Sequence, residues 1–350
     1  MSARSVAVLS AIMIAAGVQM GSAEDFAASF RAASLARREK VRSAWFVLRE
    51  RSFHPKETWA PSFPAEDVTI TRRVEIWIQG DQMRHVQNGK VPFVGGTPLE
   101  NVLQEQEIVS VVTDSTYKNS TVWEGAEHPQ GQISNSGYQQ GMTMLKPLFM
   151  AIRMGSSRLG SVDPEDFAAT GRAGVIDGAS CQVLRDTKKP REIWVDGARG
   201  FCVRRYVIKQ RETGEIVVQL DISYSEDETI GWMPTRWKLA SFLAGKLRHQ
   251  VDVTVSEYSL NEPIPAGTFD LQFAPGTFVF DTRGKPTSYF YQLEDSATRP
   301  VSRAEIQAGI TYEQAQRGTG GLWWYVAAAV IAISGLALWF AARRKHEGPG

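Results

Sequence analysis

The run CQVLRDTKKPREIWVDGARGFCVRRYVIKQRETGEIVVQLDISYSEDETIGWMPTRWKLASFLAGKLRHQVDVTVSEY, Cys181 to Tyr258, decides the fold. In it Ile216, Val218, Leu220 and Ile222 alternate with Val217, Gln219, Asp221 and Ser223. Val251, Val253 and Val255 alternate in the same way with Asp252, Thr254 and Ser256. A period of two places successive side chains on opposite faces of a strand. Strands are therefore expected at 181–186, 192–196, 201–209, 216–224, 232–240 and 246–258. The breaks at Lys188–Pro190, Gly197–Gly200, Glu212–Gly214 and Glu226–Glu228 are too short for parallel crossovers, so neighbouring strands run antiparallel. One polar side per strand implies a sheet with one covered and one wet face.

Upstream, the same period returns in Ala44, Phe46 and Leu48, and in Val74, Ile76 and Ile78 before a Gly80-Asp81 turn into Met83–Gln87. Glu107–Thr113 and Tyr117–Val122 read as two more strands. A Pro-marked loop follows His54, and Glu124 to Gly141 reads as a long polar loop. Helical spacing is found in three places. Phe26, Phe30 and Ala33 share one face of Glu24–Lys40, and Leu145, Leu148, Phe149 and Ile152 form an apolar stripe. Asp163-Pro164-Glu165-Asp166 has the cap, proline and acids of a helix start. A sheet begun before the helices and finished after them implies one α+β domain, residues 24–291, followed by a polar stalk at 292–321.

The two ends carry address information. Arg4, the apolar Val6–Val18 and the small Gly21-Ser22-Ala23 read as a signal peptide, residues 1–23, cleaved before Glu24. LWWYVAAAVIAISGLALWFAA, residues 322–342, carries no charge and is long enough to cross a hydrocarbon core of about 30 Å at about 1.5 Å per residue. Trp323, Trp324 and Trp339 belt its ends, and Arg343-Arg344-Lys345 puts the tail 343–350 in the cytoplasm. The expected location is a single-pass cell-membrane protein with its ectodomain in the periplasm or outside the cell. Of 39 basic and 38 acidic residues, only Arg4, Arg343, Arg344, Lys345 and Glu347 lie in these ends. The remainder is nearly neutral, which leaves no electrostatic footprint for nucleic acid.

Catalytic motifs are missing. His54, His85, His128, His249 and His346 show no i+3 or i+4 pairing, so no zinc motif is legible and no metal is expected. No Gly-x-Ser-x-Gly occurs, and Gly318-Thr-Gly-Gly321 does not follow a strand, so neither an enzyme nor a cofactor is expected. A hydrolase would have to gather Glu124, Glu127 and His128 in a cleft with further acids. Cys181 and Cys202 suit an oxidising compartment. With strand 192–196 between them, however, they lie about 9–10 Å apart, beyond the roughly 4.4–6.8 Å of a disulfide, so a bridge is disfavoured. Four methionines, Met142, Met144, Met150 and Met154, surround the Leu145–Ile152 stripe. Such a helix is either core or an adaptable apolar surface for ligands.

The starting helix, the interrupted meander and the turn Trp194-Val-Asp-Gly-Ala-Arg-Gly-Phe201 resemble the LolA-like periplasmic lipoprotein-carrier superfamily. So do Leu260-Asn-x-x-Ile-Pro-x-x-x-Phe269, Phe273-Ala-Pro-Gly276 and Val279-Phe-Asp281. The resemblance spans roughly 24–291. It implies a strongly curved half-barrel with helices on the concave face covering an apolar cavity. The cavity would be lined here by Met144, Leu145, Leu148, Phe149 and Ile152, and would bind a lipid or the acyl chain of a lipoprotein. A membrane anchor departs from a soluble carrier. A related group of the superfamily acts as periplasmic stress sensors, so the alternative is a sensor or scaffold that works through protein partners without a small ligand. Gly320-Gly321 also resembles a sorting tail, which would release the domain.

Overall fold

The computed structural model describes residues 22–56, 66–92, 103–113, 116–135, 142–156 and 159–317. In chain order the helices are α1 (Ala23–Lys40), α2 (Met142–Ile152), α3 (Arg303–Gln307) and α4 (Tyr312–Arg317). The strands before α2 are β1 (Ser43–His54), β2 (Val68–Gln79), β3 (Gln82–Pro92), β4 (Leu103–Val112), β5 (Tyr117–Trp123) and β6 (Gln130–Ser134). Those after it are β7 (Phe167–Ile176), β8 (Ala179–Asp186), β9 (Arg191–Asp196), β10 (Cys202–Lys209), β11 (Ile216–Asp227), β12 (Gly231–Leu243) and β13 (Lys246–Leu260). β14 (Phe278–Asp281), β15 (Ser288–Gln292) and β16 (Thr298–Pro300) follow. The chain forms two compact units, residues 1–126 with 133–271 and residues 127–132 with 272–350.

The first unit is an open, curved antiparallel sheet in the order β5-β4-β3-β2-β1-β13-β12-β11-β10-β9-β8-β7. The last strand of the meander lies beside the first strand of the chain, pairing Phe46 with Tyr258 and Leu48 with Val255. Between those pairs Ser256 is an extra residue, and its hydroxyl donates to the Val47 carbonyl at 3.0 Å. This bulge lets the odd-numbered Val251 and Val253 and the even-numbered Tyr258 face the same side.

The inward rows close one apolar core. Phe46, Val74, Ile76, Ile78, Leu220, Ile222, Trp237, Val251 and Val253 pack in it with Phe30 of α1 and Leu145, Leu148 and Phe149 of α2. On the outer face, cross-strand partners alternate in charge from β10 to β1: Arg205, Asp221, Lys238, Asp252, Arg51. Opposite charges directly across a ladder stabilise the pairing and compensate one another along this row.

Several elements depart from the sequence expectations. α1 buries Ala27, Phe30, Ser34 and Arg37, while Phe26 packs at the edge of the same core beside Phe201 and Ala33 is half-buried. Arg37 faces inward because its guanidinium caps the carbonyls of Gly200 and Phe201. Residues 163–166 do not begin a helix. Asp163 caps Glu165 N at 3.0 Å, but a 3-10 turn of Pro164–Asp166 feeds directly into β7, whose pairing with β8 outweighs the local start signal. Within the expected loop at 124–141 lies β6.

The second unit folds part of the expected polar stalk. β14 and β15 pair Phe278 with Tyr291, and β15 and β16 pair Tyr291 with Arg299. Tyr291, Val301 and Ala315 form a small core with Phe278, Leu293, Ile306, Ile310 and Tyr312. Gly131 admits the close packing at β6, since a Cβ there would lie 2.7 Å from the Phe273 ring. Residues 292–317 are therefore structured rather than a stalk.

Among the described residues, no helix is long and apolar enough to cross a membrane. The expected signal peptide up to residue 21, the spanning segment 322–342 and the basic tail lie outside the described residues. Ser22 and Asp25 form a capping box at the start of α1, with Asp25 Oδ2 2.7 Å from Ser22 N. Cleavage before Glu24 would remove Ser22 and the box with it.

Candidate functional site

α2 is apolar on nearly all sides. Leu145, Leu148 and Phe149 are fully enclosed, Ile152 is 1% exposed, and Met150 and Met154 are buried as well. Met144 is half-buried and packs against the same core. A surface helix exposes a polar face, whereas one that is apolar all round belongs inside a core. The five residues expected to line a cavity thus lie together, packed between the sheet and α1.

Two cations fasten this helix. Lys146 is 8% exposed; its ammonium donates to the Gly160 carbonyl at 2.9 Å and sits 5.6 Å from the Tyr206 ring centroid. Burial, reinforced by Arg191 and Lys189, holds its pKa down to about 8. Arg153, just past the helix, donates to the carbonyls of Gly80 and Val41 at 2.6 Å, Ile152 at 2.8 Å and Arg42 at 3.0 Å. One buried guanidinium thereby ties the end of α2 to the end of α1 and to the β2–β3 turn. Pro147 stands inside the helix, where it has no N–H to donate to the Thr143 carbonyl.

Beyond this apolar layer the inward row of β1 turns polar at Glu50, Ser52 and His54, all buried. Glu50 Oε1 accepts from Ser52 Oγ at 2.6 Å and from the Arg72 guanidinium at 3.3 Å, while Oε2 is buried without a hydrogen-bond partner. The Ser52 proton is committed to a carboxylate, so this Ser, His and Glu do not form a nucleophile–base relay of the hydrolase type. The His54 ring stacks on His249 at 4.3 Å. Burial, with His249 and then Arg72 adding to it, pushes the His54 pKa down to about 4. On β3, burial alone takes His85 to about 4. No sequence signal singled out this layer, because strand pairing alone brings β1, β2, β3 and β13 together.

Cys181 and Cys202 are free and buried on β8 and β10, with β9 between them. Burial pushes their thiols up to about 11 and about 12, so both stay protonated and unreactive at neutral pH. In the second unit Glu127 and His128 meet Glu313 of α4, with their potential ligand atoms all within 4.8 Å of one another. Glu313 is 185 residues from His128, so spacing could not reveal it. Glu124, which the hydrolase reading would add, is not one of this group. Surface hollows of about 330 Å³ along β7–β8 and about 270 Å³ along β3–β5 involve no α2 residue.

No family model and no curated protein matches the chain. Among solved structures, it is similar to an outer-membrane lipoprotein-sorting protein domain from Vibrio parahaemolyticus. That match has 12% identity and a TM-score of 0.42, and covers 70% of this chain and 97% of the other. A LolA superfamily protein from Nitrosomonas europaea matches with 13% identity and a TM-score of 0.40 over 70% of this chain and 97% of its own. At these identities the likeness is one of fold alone.

Proposed function

We propose that the chain is an exported, membrane-held module that binds the acyl chain of a lipid or lipoprotein in the space α2 now fills, without catalysing a reaction. The observation that carries this reading is the enclosure of α2 in a continuous apolar layer under the sheet. Displacing α2 would open a trough lined by the inward rows of β1, β2 and β10–β13. Met144 and Met150 on α2 and Met154 just after it are unbranched thioethers, which repack readily as the helix moves.

Exposing Leu145, Leu148, Phe149 and Ile152 would cost on the order of 6–12 kcal/mol at about 1.5–3 kcal/mol per side chain, which an acyl chain offsets by covering the same trough. The anchor in this reading is the uncharged segment 322–342, with its basic flank inside the cell.

Native mass spectrometry of the full chain, purified in mild detergent and incubated with phospholipid vesicles, tests the proposal. An adduct of acyl-lipid mass is expected. Its absence, with the interior still filled by α2, would turn the reading to a domain that docks protein partners.

A further inference from the structure

The second unit holds a side-chain cluster that the lipid reading leaves unused. Glu127 and His128 stand in the bend before β6, and Glu313 opens the second turn-length helix of the unit, α4. His128 Nε2 lies 3.2 Å from Glu313 Oε1. Two ligands of one zinc-sized ion, each bound at about 2.1 Å, sit roughly 3.4 Å apart in tetrahedral geometry. The pair is already at ligand spacing, and the Glu127 carboxylate, within 4.8 Å of both, needs only a side-chain adjustment to join them.

The imidazole is held in place. Its ring meets Tyr312 edge-on at 4.9 Å. It also covers Gly276, where a Cβ would come within 2.8 Å of Nδ1. Gly276 has φ +85°, so this approach relies on glycine for backbone conformation as well as for space. A fixed imidazole is what distinguishes the cluster from two mobile surface acids.

We propose that Glu127, His128 and Glu313 bind a divalent transition-metal ion of the zinc class, with water completing the coordination. One imidazole and two carboxylates suit zinc, nickel, cobalt or manganese, whereas magnesium and calcium prefer all-oxygen sets. Two carboxylates neutralise the dication, which in turn relieves their mutual repulsion. The ion clamps the chain before β6 to α4, the helix that leads into residues 318–350. It thus fixes the last described helix against the bend before β6.

The test uses the full chain in mild detergent, freed of metal with a chelator and titrated with Zn²⁺ by calorimetry. Co²⁺ absorption serves as a second readout of nitrogen and oxygen ligation. One equivalent should bind, and the melting temperature should rise with free Zn²⁺. Loss of even an outer-shell partner typically weakens a metal site about 10–100-fold, so His128→Ala and Glu313→Gln should each weaken binding by at least about tenfold. Glu313→Gln keeps the shape and hydrogen bonding of the side chain, and an unchanged metal-free melting temperature shows that it folds. Absence of stoichiometric binding, or binding that both variants retain through other histidines, overturns the proposal. An acyl adduct in the lipid experiment bears on neither outcome.

Discussion

Three histidines lie in the interior layer of the first unit, and their neighbours decide how the protein responds to acid. His85 is 2% exposed, and His54 stacks on His249 with Arg72, Arg248 and Glu50 as the charged groups around the pair. Burial is the leading cause in each case and lowers all three to about 4 from 6.5. Between those values the unfolded chain binds protons that the folded chain refuses. Stability is therefore complete above pH 6.5 and is lost as pH falls from 6.5 toward 4, by up to about 1.4 kcal/mol per pH unit for each proton refused. Thermal melts at pH 7.5, 6 and 5 should show a level midpoint above 6.5 and a steep decline below it. In His85→Gln that decline should be shallower. A midpoint unchanged from 7.5 to 5 would show that these imidazoles are hydrated and titrate freely in the folded protein.

At the level of elements, α2 is where stability and proposed function meet. Leu148 is fully enclosed at its centre. Leu148→Ala should cost about 2–5 kcal/mol through lost burial and the cavity left behind, read as a lower urea midpoint with an unchanged slope. If α2 occupies an acyl site, the same variant should bind a fluorescent fatty-acid probe more tightly than the wild type, because less of the helix has to be displaced. A variant that is destabilised but gains no probe binding would mark α2 as plain core. The stripe Leu145, Leu148, Phe149 and Ile152 was readable from spacing alone, and so were the strands from Ala179 to Leu260, because amphipathic period reports directly on burial. Elements whose signals are not periodic were hidden. β6 has only Ile133 as a buried large side chain and borrows its fit from Gly131. The Ser256 bulge leaves the alternation on either side intact, so only the pairing with β1 exposes it. Asp163-Pro164 carries a genuine cap, yet the segment after it holds Gly171 and Gly174 and gains more by pairing with β8 than by continuing as a helix. The clusters at Glu50–Arg72 and at His128–Glu313 join residues far apart in the chain, which no spacing rule can anticipate.

For the whole molecule, the proposed membrane attachment has to be assigned to a surface or a segment of the chain. One row of the outer face of the first unit offers no electrostatic attachment, since Arg205, Asp221, Lys238, Asp252 and Arg51 alternate in sign along it. A polybasic surface gains about 1 kcal/mol per cation at an anionic bilayer, and a ladder that cancels its own charge gains almost nothing. No described helix has the length and apolarity to cross, so the proposed attachment rests on residues 322–342 and their basic flank. The described elements end at Arg317, and the small core around Tyr291, Val301 and Ala315 is built from residues up to that point. A chain ending at Arg317 should therefore fold with the melting temperature of the full chain and leave the membrane fraction. The full chain should resist alkaline carbonate extraction and yield only to detergent. The two forms should differ in partitioning by more than salt can reverse, because burying an uncharged segment of this length does not depend on ionic strength. Persistence of the shortened chain in carbonate-washed membranes would move the attachment to the residues before Ser22 or to the acyl-binding interior itself.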